Sequence, residues 1–207
     1  MSTKNLLQTI GNTPLVEVKG LGNGSSSVYA KLEYFNPGGS VKDRTALFLI
    51  EDAEKKGLLK KGSTIIEPTA GNTGIGLALI GVQKGYSVQL VVPEKFSAEK
   101  QVLMKALGAE VIITPTEDGM EGAILKAKSL ASEIPNSFVP EQFSNAANVE
   151  AHYTTTGPEI LNELSDVDYF VAGFGTGGTF TGVSKYLKEQ AEKNGSKKVQ
   201  CVVVEPE

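Results

Sequence analysis

The sequence predicts an α/β protein with two open, mostly parallel sheets flanked by helices. Two observations predict it. Short β-branched runs alternate with amphipathic runs of roughly 10–16 residues, and glycines gather where one kind of run gives way to the other. Strands separated by helices of that length pair in parallel through right-handed crossovers. Glycine makes up 23 of 207 residues, about 11% against a usual value of roughly 7%. The clusters are Gly38-Gly39, Gly71/Gly74/Gly76 and Gly173/Gly175/Gly177/Gly178.

Taken in order, residues 28–32 (Val-Tyr-Ala-Lys-Leu) read as a strand, and 41–56 as a helix that Gly57 stops. Residues 64–67 are a strand, and 73–84 a helix ended by Gly85. The strand at 88–92 closes at Pro93, and Ser97 caps a helix over 98–107 that Gly108 ends. A strand at 110–113 precedes a helix over 120–133. A looser stretch with Pro135 and Pro140 runs into 142–148, where the chain is expected to cross between domains. A helix at 158–164, a strand at 168–172, a helix over 179–192 and a strand at 199–204 complete the pattern. Because that last strand reads as a central one and the sequence stops soon after, a further C-terminal part is expected to be missing.

Composition narrows the chemistry. Lys+Arg number 20 and Asp+Glu 24, a net charge of −4 without a basic cluster, which argues against a nucleic-acid surface. Cys201 is the single cysteine and His152 the single histidine, so an internal disulfide, a Cys- or His-built metal site and a Ser-His-Asp triad have little to work with. No apolar run reaches the ~18 residues of a membrane span. The start, Met-Ser-Thr-Lys-Asn, lacks the features of a signal peptide, so a soluble, cytoplasmic setting is expected.

Three segments could carry chemistry. The first is Asn-Pro-Gly-Gly-Ser-Val-Lys-Asp-Arg at 36–44, which reads as a turn and helix start with Ser40 as cap. Lys42 does not fit that plain reading. A cation in a first helical turn opposes the helix dipole by about 0.3–1 kcal/mol, and Arg44 nearby adds a like charge. Both effects favour a neutral, nucleophilic amine. The second is Glu-Pro-Thr-Ala-Gly-Asn-Thr-Gly-Ile-Gly at 67–76, a strand end opening a helix, where free N–H groups and the Thr69 and Thr73 hydroxyls suit a carboxylate or phosphate. The third, Val-Ala-Gly-Phe-Gly-Thr-Gly-Gly-Thr at 171–179, matches G-x-G-x-x-G through Gly173, Gly175 and Gly178, with Glu205 ending the next strand. A nicotinamide dinucleotide oxidoreductase is therefore one reading. Thr176 and Thr179 add donors better suited to a terminal monophosphate, and a monophosphate beside a neutral lysine points to pyridoxal 5′-phosphate (PLP).

These three segments, in this order and spacing, together with Ile-Gly-Asn-Thr-Pro-Leu at 10–15 and Glu-Pro at 205–206, resemble the cysteine synthase/cystathionine β-synthase family. The resemblance spans essentially the whole chain. It implies a fold type II PLP enzyme, similar to the tryptophan synthase β subunit, with a smaller mobile domain at 35–147 and a phosphate-binding domain from 1–34 with 148–207. It implies that Lys42 carries PLP covalently and acts as the catalytic base, and that Asn72 bonds the ring oxygen. Gly175, Thr176, Gly177, Gly178 and Thr179 match the phosphate loop. Thr69, Gly71, Asn72 and Thr73 match the loop that grips the substrate carboxylate, and Gln142 a glutamine that also reaches it. The implied reaction is β-replacement, giving L-cysteine from O-acetylserine and sulfide, or cystathionine when homocysteine is the acceptor. A homodimer and docking of a serine acetyltransferase tail are implied partners, and no metal is.

Two departures stand out. Ala70 replaces a Ser common in the family, removing a hydroxyl whose bond to a charged group is worth roughly 1.5–3 kcal/mol. The Ala form is similar to that of bacterial relatives that also make cystathionine, which keeps that activity open. Ala146 stands where the family has Pro, a change of backbone stiffness. Family members also continue for roughly another hundred residues, which include a hydroxyl partner for the pyridine nitrogen. Cys201 reads as core, and Lys95, Lys100, Lys105, Lys126 and Lys128 as solvated positions.

Overall fold

The computed structural model describes residues 5–21, 24 and 26–205. Met1–Lys4 of the N-terminal reading and Pro206 of the final motif lie outside them. The chain divides into two compact units, Lys42–Ala147 and Met1–Val41 with Asn148–Glu207.

The first of these units is built on a four-stranded parallel sheet of β3 (Thr64–Pro68), β4 (Ser87–Pro93), β5 (Glu110–Thr114) and β6 (Ser137–Phe138), in the order β5-β4-β3-β6. Its helices are α1 (Lys42–Lys55), α2 (Asn72–Gln83), α3 (Ala98–Ala106) and α4 (Gly119–Glu133). The apolar residues of α4 bury one sheet face, where Ile66 and Val91 pack on Ala123 and Ala127. On the opposite side a methyl group at Gly81 of α2 would meet Val88, Ile65 and Ile50 of α1, so α1 and α2 lie there together. Helix α2 is buried without a break from Thr73 to Gly81, which is why its sequence is apolar all round rather than striped. Its Gly76 allows a close crossing with α1, since a Cβ there would sit 3.0 Å from both the Lys42 carbonyl oxygen and the Ala46 Cβ.

This strand order contains a switch point. The chain moves outward from β3 to β4 to β5, then returns to the other side of β3 as β6. In open α/β sheets the crevice beyond the carboxyl ends of the strands at such a point is the place for a ligand. Here those ends release two loops, at 69–71 after β3 and 139–146 after β6.

The second unit holds an antiparallel pair, β1 (Leu15–Glu17) with β2 (Tyr29–Lys31), and a parallel pair, β7 (Tyr169–Gly173) with β8 (Gln200–Val204). A continuous helical stretch runs through α5 (Ala147–Ala151), a π-helical turn His152–Thr156 and α6 (Gly157–Glu163). It packs against α7 (Gly178–Lys193) over a core of Ile160, Val183, Leu187 and Val199, with Cys201 partly buried against it. Lys31 of β2 binds Glu159 at 3.0 Å and Glu163 at 3.1 Å, tying the antiparallel pair to α6.

Most elements expected from periodicity form with ends shifted by a residue or two, and Ser97 caps α3 by accepting from the Lys100 N–H. Three features differ. Leu15–Glu17 forms a strand, the stretch at 135–148 contains β6, and the helix expected at 158–164 begins eleven residues earlier at Ala147. Each addition is short or interrupted, two or three residues of strand or one π turn, so none offers a full period to read.

Candidate functional site

Lys42 is the first residue of α1, half-buried, with its backbone carbonyl against Gly76 of α2. Burial pushes its amine below the usual lysine range, because the charged form loses more hydration than the neutral one. The sequence pointed to the helix dipole and Arg44 as causes. In the fold Arg44 is itself fully buried, and desolvation is the cause that acts on Lys42.

One turn back along α2 from Gly76 stands Asn72, the exposed first residue of that helix, with Gly71 as its cap. Gly71 donates its N–H to Thr69 Oγ1 at 3.3 Å, a short turn that rounds the loop toward the helix. Thr69 and Thr73 are buried. The Thr73 hydroxyl donates to Gln142 Oε1 at 2.6 Å, so the loops after β3 and β6 meet at the switch point. Within this unit the fold therefore brings Thr73 to Gln142 and sets Lys42 beside the first turns of α2. Thr69, Gly71 and Asn72 occupy the same strand-to-helix turn.

In the other unit, residues 174–177 turn from β7 into α7. Gly177 caps α7 at φ 80°, left-handed backbone that favours glycine. Gly178 has no room for a side chain, since a Cβ would lie 2.2 Å from Asn148 Oδ1. That contact has a purpose, because Asn148 Nδ2 donates to Thr176 Oγ1 at 2.9 Å. Thr179 Oγ1 lies 3.2 Å from His152 Nε2, and His152 Nδ1 lies 2.9 Å from Thr156 Oγ1. Both loop hydroxyls are thus held from behind by buried polar side chains. The first turn of this sixteen-residue helix has no acidic residue, so nothing there opposes an anion at its unsatisfied N–H groups.

Sequence reasoning missed Asn148 and His152. His152 stood out only as the single imidazole, and the π turn that aims its ring has no sequence period. Asn36 was read as part of a turn, yet its Oδ1 accepts from Gly11 N–H at 2.8 Å, which explains the Gly-Asn-Thr run near the start. Glu67 was also passed over. It is 2% exposed, and its Oε2 has no hydrogen-bond partner among the described residues. Burial pushes its carboxyl up to about 7, with the nearby Glu141 carboxylate adding to the rise. Among the described residues no cluster could hold a metal ion, and no helix is long and apolar enough to cross a membrane.

In the one unit lies an amine shifted toward its neutral form by burial, and in the other a helix start with no acidic residue to oppose an anion. Each by itself is of the kind found in α/β proteins that bind pyridoxal 5′-phosphate. Residues 6–207 match the family described as pyridoxal-phosphate dependent enzymes, and the chain belongs to that family. It is 53% identical to a cysteine synthase of a Flavobacterium species over 208 residues, covering 100% of this chain and 66% of that protein. It is 49% identical to the cysteine synthase of Staphylococcus aureus, over 98% of this chain and 64% of that one. Among solved structures, an O-acetylserine dependent cystathionine β-synthase from Helicobacter pylori matches with a TM-score of 0.90 and 48% identity, covering 100% of this chain and 67% of that one. The chain thus spans about two thirds of the length of these relatives.

Two outcomes follow from this geometry. Gly178→Ala displaces the Asn148 amide from Thr176 and weakens PLP binding about tenfold or more, about 1.4 kcal/mol, read by titration. An unchanged affinity contradicts the phosphate assignment. The second concerns pH. Between about 4.5 and about 7 the folded chain holds a proton on Glu67 that the unfolded chain releases, so this group makes stability fall as pH rises through that window. Urea unfolding at pH 5 and pH 8 therefore shows Glu67→Gln gaining about 2–3 kcal/mol on the wild-type chain at the higher pH. A difference independent of pH contradicts this.

Proposed function

We propose that this chain carries PLP-dependent β-replacement, forming L-cysteine from O-acetylserine and sulfide. The observation that carries the proposal is Lys42, whose amine burial moves toward its neutral form and whose backbone carbonyl lies against Gly76 of α2. Lys42 would hold the aldehyde, Asn72 the ring oxygen, and Gly175, Thr176, Gly177, Gly178 and Thr179 the phosphate, as the family resemblance implies. Bound PLP supplies an electron sink for charge that develops at Cα.

The chain's own residues do the rest. Thr69, Gly71, Asn72, Thr73 and Gln142 hold the substrate carboxylate, which fixes the direction of the Cα–H bond. Neutral Lys42 accepts the proton from Cα as the Cβ–O bond to acetate breaks, and returns it as the Cβ–S bond forms. Closure of the 69–73 loop over the substrate would exclude water from these steps. A homodimer and a serine acetyltransferase tail are the partners this reading takes from the family resemblance, and the lone cysteine suits a cytoplasmic setting.

Ala70 supports a second reading, with homocysteine as acceptor and cystathionine as product. The position lacks the hydroxyl that the family commonly carries, and the Helicobacter pylori structure of similar sequence has a name that couples O-acetylserine to cystathionine β-synthase. The nicotinamide reading has no comparable support, because the matched family is PLP-dependent.

The test is product analysis with PLP, O-acetylserine and either sulfide or homocysteine, on this chain and on one extended to its relatives' length. Cysteine or cystathionine is expected, and Lys42→Ala lowers turnover roughly 10²–10⁴-fold while PLP still binds non-covalently. Near wild-type cysteine synthesis by Lys42→Ala overturns the assignment.

A further inference from the structure

We propose that His152 is a positioning residue whose ring, with its proton on Nε2, leaves the hydrogen of the Thr179 hydroxyl to be donated to an oxygen of a phosphate monoester. This rests on the reading of residues 175–179 as the phosphate loop.

The π turn His152–Thr156 ends in three consecutive threonines. Thr154 and Thr155 donate their hydroxyls to the carbonyls of Glu150 and Ala151, four residues back, as helical threonines commonly do. Thr156 departs from its neighbours. Its Oγ1 lies 2.9 Å from His152 Nδ1, and among the described residues that nitrogen is the only partner of its side chain. Thr156 is 3% exposed and His152 0%, so bulk water does not compete for either group. A buried hydroxyl keeps its hydrogen bonded, and Thr156 therefore donates to Nδ1. An imidazole nitrogen that accepts carries no hydrogen, so the neutral ring holds its single proton on Nε2.

That nitrogen lies 3.2 Å from Thr179 Oγ1, in the first turn of α7. The ring donates there and Thr179 accepts. Thr179 is half-buried, and among the described residues its side chain has no partner besides His152, so its own hydrogen stays available to a ligand. The direction of this bond decides what the loop offers. A phosphate dianion consists of acceptors and needs hydrogens turned toward it. The opposite tautomer would draw the Thr179 hydrogen back to Nε2 and leave oxygen lone pairs facing the anion. Packing is served by either tautomer, whereas an anion is served by one. Gly182 of α7 admits the ring this closely, since a Cβ there would lie 2.8 Å from His152 Cβ. Thr156, His152 and Thr179 thus form a relay in which each group donates to the next.

His152 is the single imidazole of the chain, so ring 15N spectra of the 207-residue chain at neutral pH carry one pair of signals. Protonated Nε2 beside unprotonated Nδ1 is expected. Affinities for PLP and for pyridoxal, which lacks the phosphate, are read by titration, and their ratio isolates the phosphate contribution. His152→Asn, whose amide reaches only the Nδ1 position, is expected to lower that ratio about tenfold, and Thr156→Val about threefold, with pyridoxal affinity unchanged. His152→Gln restores a donor at the Nε2 position and Thr156→Ser restores the hydroxyl, and both stay within about twofold of the wild-type ratio. A proton on Nδ1 in the wild-type ring, alone or together with one on Nε2, overturns the proposal. So does an unchanged ratio in either His152→Asn or Thr156→Val, and if Thr179→Val still lowers the ratio the phosphate loop is left standing. Should the wild-type chain bind PLP no more tightly than pyridoxal, the reading of the loop falls and the proposal with it.

Discussion

An ammonium group needs water or an opposing charge, and the first turn of α1 denies Lys42 much of its water. This constraint depends on packing. Gly76 admits the Lys42 carbonyl into contact with α2, and α2 is itself enclosed from Thr73 to Gly81. The apolar run that makes α2 a buried helix thus lies against the start of α1, where burial lowers the pKa of the Lys42 amine. The same helix begins at Asn72 and Thr73, so one element serves the core with its body and the candidate site with its N-terminus.

A comparable division of labour governs the glycine-threonine turn before α7. Its backbone is free to offer N–H groups because Gly177 caps the helix in left-handed backbone. Its hydroxyls are oriented because Asn148 and His152, from the helical stretch that starts at Ala147, stand behind Thr176 and Thr179. Gly182 makes that approach possible, since a Cβ there would lie 2.4 Å from the Val149 carbonyl oxygen. In both units a glycine at a helix crossing lets two backbone segments approach closely.

The sequence made the long elements and the three chemistry-bearing turns legible, because each helix or strand repeats its apolar spacing and each turn combines glycine with hydroxyl or charged residues. It did not disclose what stands behind the turns. The π turn at His152–Thr156 rotates the ring by an extra residue per turn, which no apolar pattern announces. Strand β6 is two residues long, yet it creates the switch point that brings Gln142 to Thr73. Glu67 read as the last residue of a strand; its burial becomes visible only when the stretch after β6 returns beside it. Supporting residues act through tertiary contact, whereas the motifs they support are contiguous in sequence.

The central claim is that the amine proposed to meet an aldehyde is that of Lys42. Its direct measurement is reductive trapping: PLP is added to the chain at neutral pH, borohydride fixes any covalent adduct, and peptides are mapped by mass spectrometry. The account predicts one dominant pyridoxyl modification on Lys42 at stoichiometric PLP, ahead of exposed lysines such as Lys95 and Lys105. Labelling spread over the exposed lysines, with Lys42 unmodified, would contradict it.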